Sequence, residues 1–244
     1  MQHLVLERWS RGSSALHRLD PRAKAVALLV FLVALATAHR GVPLLFGGFL
    51  ILLIAGLVCA RLPLWGMFAR AGLVLPFTLL FALISWAAGD PARGLSLVAK
   101  SYLSALAVLL VVATTPLPSL LGAFERSGVP RFLLMVVQFL YRYLFVIVEE
   151  GQHMRAAAGA RGASARQWMP GGARFRAAGG ALAVLLARSY NRAGHIHQAM
   201  LARGFQGHFQ TLEAVPVRSS DVIFTVAASI VAVAWRLVAE RVAW

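Results

Sequence analysis

Residues 149–207 read EEGQHMRAAAGARGASARQWMPGGARFRAAGGALAVLLARSYNRAGHIHQAMLARGFQG and form a basic, alanine-rich stretch. The triplet Ala-Arg-Gly occurs in it twice, as Ala160, Arg161, Gly162 and as Ala202, Arg203, Gly204. Alanine favours a helix, and glycine is the residue at which a helix most readily ends in a left-handed conformation. The stretch therefore predicts two helices, each with an arginine at its C-terminal end.

An arginine at the end of a helix has two ordinary explanations. Its charge complements the helix dipole, so it can serve as a simple cap. Its guanidinium also offers a fork of N–H donors that fits a carboxylate on another protein. Either triplet alone fits the first explanation, whereas two copies in one basic region favour the second. We therefore expect Arg161 and Arg203 to bind a partner protein.

The composition of the chain predicts an all-α polytopic membrane protein. Hydrophobic residues make up 59% of the 244 residues, whereas soluble domains contain about 45–50% apolar residues. The charged residues behind the net charge of +15 lie between and beside the apolar segments. Lipid headgroups and proteins are therefore the expected counterparts, and nucleic acid is not. Because Cys59 is the only cysteine, an intrachain disulfide and a cysteine-based metal cluster are excluded.

About five apolar segments are predicted to span the membrane. They are residues 23–38, 42–60, 71–88, 95–115 and 222–238. Asp20 and Pro21 are typical of a helix start, and a serine or Asp221 is expected to cap the last helix. A short turn is expected at 61–70. The first segment is shorter than the ~20 residues of a typical span, so we expect Lys24 to extend it by reaching the membrane interface.

The segment before the first triplet has two interpretations. Residues 131–150 are apolar enough to form a sixth span, yet they carry Gln138 and Arg142. We favour one long tilted helix that leaves the membrane and continues to the triplet, since no turn signal interrupts it. A hairpin at 168–172 then leads into a second arm, 174–203.

The two arms are predicted to cross closely, because short side chains at 156–160 and 177–183 let helix backbones approach each other. The alternative is that both arms lie on the membrane surface as amphipathic helices. The predicted organisation therefore has three parts. They are a leader with four membrane helices (1–118), an interfacial region with the two arms (119–218) and a final membrane helix (219–244).

The distribution of positive charge predicts the orientation. Membrane proteins concentrate lysine and arginine in their cytoplasmic loops. Twelve arginines lie between Arg126 and Arg218, and more precede the first span. The N-terminus and both triplets are therefore predicted to be cytoplasmic.

No catalytic, cofactor or metal site is predicted, and the chain is not expected to be an enzyme. His195 and His197 are two residues apart, so on a helix they point about 200° apart and make a poor metal pair. The sequence lacks a glycine-rich phosphate loop followed by Lys-Ser/Thr, so any ATP must be hydrolysed by another chain. Apart from Lys24 at the start of the first span, Lys100 and Arg236, the predicted spans lack the charged residues that mark a substrate pathway.

The acidic pair Glu149 and Glu150 has no nucleophile beside it, so an acid/base role is not expected. Arg142 or Arg155 is the expected partner of this pair. Two functions of other classes stay as alternatives. One is an autonomous secondary transporter, which the absence of inverted halves argues against. The other is a lipid-modifying enzyme with an interfacial site at Glu149, Glu150 and His153.

Several segments together resemble a known family. They are residues 16–24 (LHRLDPRAK), the membrane spans in their order, the two Ala-Arg-Gly triplets and residues 199–205 (AMLARGF). The whole resembles the T component of energy-coupling factor (ECF) transporters, and it is most similar to the cobalt transport family CbiQ. The likeness covers nearly the whole chain, and the paired triplets are its most specific part.

The resemblance implies a non-catalytic transmembrane coupling subunit of a bacterial inner-membrane importer. Such a subunit holds a substrate-binding S component, expected to be CbiM-like with a small accessory membrane subunit. It rests on two ABC-type ATPases, expected to be CbiO-like, which bind the ATP. In this family, arginines at the ends of two crossing coupling helices insert into grooves of the ATPase pair.

Carried over to this chain, the residues implied to couple to the ATPases are Ala160, Arg161, Gly162, Ala202, Arg203 and Gly204. The solute is expected to be cobalt (Co²⁺). Nickel or a vitamin such as biotin is the alternative, since T components that serve those solutes share the same features.

Overall fold

The computed structural model of the chain describes residues 12, 14, 16–38, 43–126, 128–162, 171–207 and 218–242. These described residues form helices and no strand. In chain order the elements are α1 (Pro21–Ala36), α2 (Pro43–Cys59), α3 (Leu64–Ala71), a 3₁₀ turn (Gly72–Val74), α4 (Leu75–Ala87), α5 (Pro91–Thr114), α6 (Leu117–Arg126), α7 (Arg131–Ala160), α8 (Gly171–Ala202) and α9 (Ser219–Val242). Of the hairpin predicted at 168–172, residues 168–170 lie outside the described residues, whereas the prediction is wrong for 171 and 172, which already belong to α8.

The helices belong to two compact units. One comprises Met1–Phe124 with Glu213–Trp244, and the other comprises Glu125–Leu212. The first unit contains α1 to α5 and α9. The second contains α7 and α8, which are the two arms predicted from the sequence.

The all-α membrane fold predicted from the composition is confirmed. Four of the described helical segments are long and apolar enough to cross a membrane, namely Leu64–Ala87, Pro91–Thr114, Phe132–Ala160 and Ser219–Val238. The third lies in α7, the segment with two interpretations, and its length and composition suit a span. By contrast, α1 and α2 have 16 and 17 residues and fall short of the usual ~20.

The turn predicted at 61–70 is wrong beyond Pro63, because α3 begins at Leu64 and continues through the 3₁₀ turn into α4. Pro76 explains the local tightening, since it has no N–H for the carbonyl four residues earlier. That carbonyl, on Gly72, accepts the N–H of Leu75 instead. The proline therefore distorts the helix for one turn without ending it.

The core of the first unit lies between α1, α2 and α5. Leu45, Phe49, Leu53 and Leu57 recur every four residues along α2, and all four are buried. The ring of Phe49 meets that of Phe31 of α1 edge to face, with 5.2 Å between the ring centres. Many large apolar side chains on the outer faces are exposed, as expected for helices surrounded by lipid.

Two lysines join α1 and α5, one at each end of α1. The Nζ of Lys24 donates to the Thr114 carbonyl (2.9 Å) and to Oγ1 of Thr115 (3.1 Å), at the end of α5. The Nζ of Lys100 donates to the carbonyls of Ala36 (2.9 Å) and Ala38 (2.8 Å), at the end of α1. Each helix thus supplies the cation that caps the C-terminus of its antiparallel neighbour, where free carbonyls and the helix dipole favour positive charge.

The expected role of Lys24 at the membrane interface is therefore wrong. Lys24 is only 3% exposed, because its ammonium bonds to the free carbonyl of Thr114 and the hydroxyl of Thr115 inside the unit. The long side chain turns inward to these acceptors instead of extending α1 towards the interface.

The starts of α1 and α9 are also joined. Asp20 caps α1 as predicted, and its Oδ1 accepts the N–H of Arg22 at 2.8 Å. The backbone N–H of Asp20 donates to Oδ1 of Asp221 at 3.0 Å, and Oδ2 of Asp221 accepts the N–H of Arg218 at 2.9 Å. Asp221 therefore caps α9 by reaching back to the residue before it, as in a capping box, and ties the first helix to the last.

Gly48 lets α2 approach α9 closely. A Cβ at this position would lie 1.9 Å from the indole ring of Trp235. The same ring is held in place because its Nε1–H donates to the Leu45 carbonyl at 3.2 Å. The indole therefore occupies the space that a larger residue at position 48 would need.

We expect Gly48→Ala to lower the unfolding temperature of the purified protein, because overpacking against a fixed ring costs about 1–3 kcal/mol. Gly47→Ala is the matched control on the same helix, since a Cβ there meets nothing within 4 Å. Thermal unfolding in detergent measures both variants. Equal unfolding temperatures would contradict the packing of α2 on α9.

We expect Lys24→Met to destabilise the first unit, because the buried carbonyl and hydroxyl at the C-terminal end of α5 lose their hydrogen-bond donor. A hydrogen bond to a charged group contributes about 1.5–3 kcal/mol. Lys100→Met is the comparison, and its effect should be smaller because Lys100 is only half-buried. A Lys24→Met variant as stable as wild type would show that the contact contributes nothing.

Candidate functional site

The first triplet forms the end of α7. The helix ends at Ala160, and the N–H of Arg161 lies 3.2 Å from the carbonyls of both Ala157 and Ala158. Gly162 has a φ of +84°, and its N–H donates to the Gly159 carbonyl at 3.0 Å. The Arg161 side chain is exposed.

The second triplet ends α8 with a complete Schellman motif. The helix ends at Ala202, Gly204 has a φ of +76°, and its N–H donates to the Leu201 carbonyl at 3.0 Å. The N–H of Phe205 donates to the Met200 carbonyl at 3.1 Å, which is the second bond that defines the motif. Arg203, between the last helical residue and the glycine, is exposed.

Both helices therefore end where the triplets predict, and for the predicted reason. A positive φ is readily adopted by glycine and costs other residues about 1–2 kcal/mol. The glycines stop the helices, and the preceding arginines stand at their ends. The binding of a partner by these six residues stays a prediction.

The side-chain bonds described between α7 and α8 are ionic. Oε1 of Glu150 accepts a hydrogen bond from Nη1 of Arg188, and Oε2 of Glu150 lies 4.0 Å from Nη2 of Arg192. These three residues line an open groove of about 630 Å³, together with Asn191, His195, Ile196 and Ala199. The site thus presents two guanidiniums and one carboxylate between the helices.

The expected pairing of the two glutamates with Arg142 or Arg155 is wrong. Glu149 faces His153 on the same helix, with 3.7 Å between Oε1 and Nε2, whereas Glu150 pairs across to α8. Helix geometry explains this, since a residue five positions along, such as Arg155, lies about 140° round the helix from Glu150. Arg188 comes within reach because α8 packs beside α7 at this point.

The prediction that small residues form the crossing is also wrong for the described residues. Residues 156–160 and 177–183 are exposed. A Cβ at Gly159, Gly179 or Gly180 would meet nothing within 4 Å. The described bonds form around Glu150 instead, and the small residues lie exposed on the helix surfaces.

One face of α8 is apolar and uncovered. Its exposed side chains are Phe175, Leu182, Leu186 and Tyr190. Their spacing of seven, four and four residues places them on one side of the helix, while Arg188 and Arg192 lie on the opposite side. The sequence reasoning missed this face, although the spacing was visible in residues 174–203.

No group of three or more His, Cys, Asp or Glu side chains that could hold a metal ion occurs among the residues that the structure describes. His195 lines the groove with the two arginines.

Comparison with known proteins gives a family match. The model of the CbiQ family, described as cobalt transport protein, matches residues 12–212. The cobalt transport protein CbiQ of Rhodobacter capsulatus is 30% identical over 154 residues, and the match covers 61% of this chain and 61% of the length of that relative. The energy-coupling factor transporter transmembrane proteins EcfT of Acidaminococcus fermentans and Bacillus selenitireducens are 28% and 26% identical, and each match covers 84% of both chains.

We expect Gly204→Ala to loosen the end of α8, because alanine at this φ costs about 1–2 kcal/mol. Gly180→Ala, in the interior of the same helix and with open space around it, is the control and should not have this effect. Hydrogen exchange of the Phe205 amide measures the loosening. Unchanged protection of this amide in Gly204→Ala would contradict the role of the glycine.

Proposed function

We propose that this chain, which belongs to the CbiQ family of cobalt transport proteins, is the transmembrane coupling subunit of an ECF importer. Membership of the family confirms the resemblance inferred from the sequence. The observation that carries the proposal is the pair of exposed arginines, Arg161 and Arg203. Each stands at a helix end that is fixed by a left-handed glycine.

The proposed partners on the cytoplasmic side are two ABC-type ATPases, of the CbiO kind. Each arginine would enter a groove of one ATPase and bind a carboxylate there through two parallel hydrogen bonds. ATP is bound and hydrolysed in these partners, so the chain itself is proposed to be non-catalytic and to need no cofactor. This fits a chain whose sequence lacks a phosphate-binding loop.

The proposed partner within the membrane is a substrate-binding S component of the CbiM kind, with a small accessory membrane subunit. The first unit offers apolar surface for lipid and for such a partner. On α4, for example, Phe77, Leu83 and Trp86 are exposed. Exposed apolar surface of this extent is expected only where lipid or another protein covers it.

The proposed movement starts at the arginines. When the ATPases close, the two grooves approach each other and carry Arg161 and Arg203 with them. α8 has 32 residues, which corresponds to about 48 Å of helix. Because an intact helix is stiff over this length, movement of its end is passed to the membrane part of the transporter and to the S component.

The proposed location is the bacterial inner membrane, with the N-terminus and both triplets in the cytoplasm. The support is the charge distribution, with twelve arginines between Arg126 and Arg218. The ATPases need cytoplasmic ATP, so this orientation also places the arginines on the side where their partners find it.

Cobalt is the proposed solute. The support is the description of the matching family and the name of the Rhodobacter capsulatus relative. The names of the EcfT relatives specify no solute, so nickel and vitamins such as biotin are the competing solutes. Uptake of labelled Co²⁺, Ni²⁺ and biotin by cells that express the complete transporter distinguishes them.

The buried residues Asp20, Lys24 and Asp221 do not call for a second function. Buried charges inside a membrane protein often mark a transport pathway. Here, however, each contacts the end of a helix, as described for α1, α5 and α9. Their bonds account for their burial, so the alternative of an autonomous secondary transporter gains no support from them.

We expect Arg203→Ala to weaken binding of the ATPase pair at least about 30-fold, because loss of a buried charged contact costs about 2–5 kcal/mol. The double change of Arg161 and Arg203 should abolish both binding and uptake. Affinity of the purified chain for the ATPases and cobalt uptake in cells measure the two effects.

Two controls separate recognition from simple capping. Arg176→Ala removes an exposed arginine from the same helix and should change neither binding nor uptake. Arg203→Lys keeps the charge at the helix end but loses the planar fork, so it should weaken ATPase binding and uptake as Arg203→Ala does. Full activity of the lysine variant would indicate a cap, and full activity of the double variant would overturn the proposed function.

A further inference from the structure

Glu150, the carboxylate of the ionic contact between the arms, is less exposed to solvent than the glutamate beside it. The Glu150 side chain is 24% exposed, whereas that of Glu149 beside it is 73% exposed. Glu150 uses one oxygen for Arg188 and turns the other towards Arg192. A single carboxylate therefore faces two guanidiniums of the opposite helix.

Its position gives this contact leverage. Glu150 lies ten residues before Ala160 in α7, and Arg188 lies fourteen residues before Ala202 in α8. These separations correspond to about 15 Å and 21 Å of helix. A change of about 10° between the helices at Glu150 would therefore move the two helix ends by about 3–4 Å.

The segments beyond the contact offer little to hold the arms together. The described residues between Glu150 and Arg161 include the run of exposed small side chains at 156–160. The groove on the α8 side is open and is lined by Ile196 and Ala199 besides its polar side chains. The described side-chain bonds between the arms are those of Glu150, so this contact is placed to influence the angle between them.

The two arginines provide two positions for the carboxylate. Arg188 and Arg192 are four residues apart, so they lie on one side of α8, about 6 Å apart along its axis. Glu150 is hydrogen-bonded to the first and is 4.0 Å from the second. A shift of α7 along α8 by about one turn would exchange one guanidinium for the other without leaving the carboxylate unpaired, and one-turn shifts of this kind occur in switching proteins.

We propose that Glu150 is a positioning residue that holds the arms in one of two arrangements, paired with Arg188 or with Arg192, and thereby sets the separation of Arg161 and Arg203. This inference rests on the proposed function for its purpose, since the separation matters only if the two arginines bind the ATPases. The two arrangements themselves are a property of this chain alone.

The test measures the distance between the arms in the full chain in lipid nanodiscs. Cys59 is the only cysteine, so a Cys59→Ala background carries spin labels only at Ala158→Cys and Gln198→Cys, both at exposed positions. Arg192→Gln should retain the Arg188 arrangement, and Arg188→Gln should shift the distance by at least about 3 Å to the Arg192 arrangement. Glu150→Gln should broaden the distance distribution. In a Glu150→Gln background, adding Arg188→Gln or Arg192→Gln should cause no further change in the distances.

Glu149→Gln is the matched control, one residue away on the same helix, and should leave the distances unchanged. Identical distributions for wild type, Arg188→Gln and Arg192→Gln would overturn the proposal. So would an equal shift in Glu149→Gln, since the effect would then be one of net charge.

Uptake by the complete transporter is the second readout. Glu150→Gln should reduce it by about two- to thirtyfold, the range of coupling changes produced by residues outside the binding sites, while Glu149→Gln should not. The two proposals can fail separately. If Arg188→Gln shifts the distance but the Arg161 and Arg203 double variant still binds the ATPases fully, the two arrangements stand and the proposed function is refuted. If that double variant loses ATPase binding but Arg188→Gln shifts no distance, the proposed function stands and the two arrangements are refuted.

Discussion

The first unit depends on two lysines that satisfy carbonyls at the ends of two helices, one contact being buried and the other partly exposed. The last carbonyls of α1 and α5 have no N–H donors within their own helices, and an unpaired backbone carbonyl away from water costs several kcal/mol. Lys24 and Lys100 supply the donors, each to the other helix. Because both contacts form at once, they fix the antiparallel alignment of α1 and α5. The remaining helices of this unit pack directly on α1 or α5, so their positions depend on that alignment.

The second unit is held by a different kind of interaction. A close-packed apolar core resists sliding, because every shift opens gaps. The contact between α7 and α8, in contrast, is a carboxylate among guanidiniums that are partly open to solvent. Such pairs contribute little net stability and can re-form at a neighbouring position at small cost. The same chain therefore combines a packed set of helices with a pair of arms joined by ion pairs that are partly open to solvent, and the proposed coupling function would use both.

The features that the sequence predicted correctly are determined by a few adjacent residues. Asp20 caps its own helix, and Gly162 and Gly204 end theirs through bonds that reach back at most a few positions. The features that it missed join residues far apart in the chain. Lys24 bonds to a residue 90 positions away, and Glu150 to one 38 positions away. Composition and spacing carry no information about such pairs until the helices are arranged. The sequence therefore predicted the membrane interface for Lys24 and a local arginine for Glu150, and both predictions are wrong.

In the proposed function, the residues around the two arginines would transmit force in both directions. Ala160 and Ala202 directly precede them, so each guanidinium has a methyl group beside it, although the last turn of α8 also carries Met200 and Leu201. The glycine that follows ends each helix through backbone bonds. A guanidinium held by two parallel hydrogen bonds resists both pulling and rotation, which a single ammonium does not. One such contact would still allow a helix to pivot about its end. In the proposed function, two such contacts on connected helices would convert the approach of two partner grooves into a change of the angle between the helices.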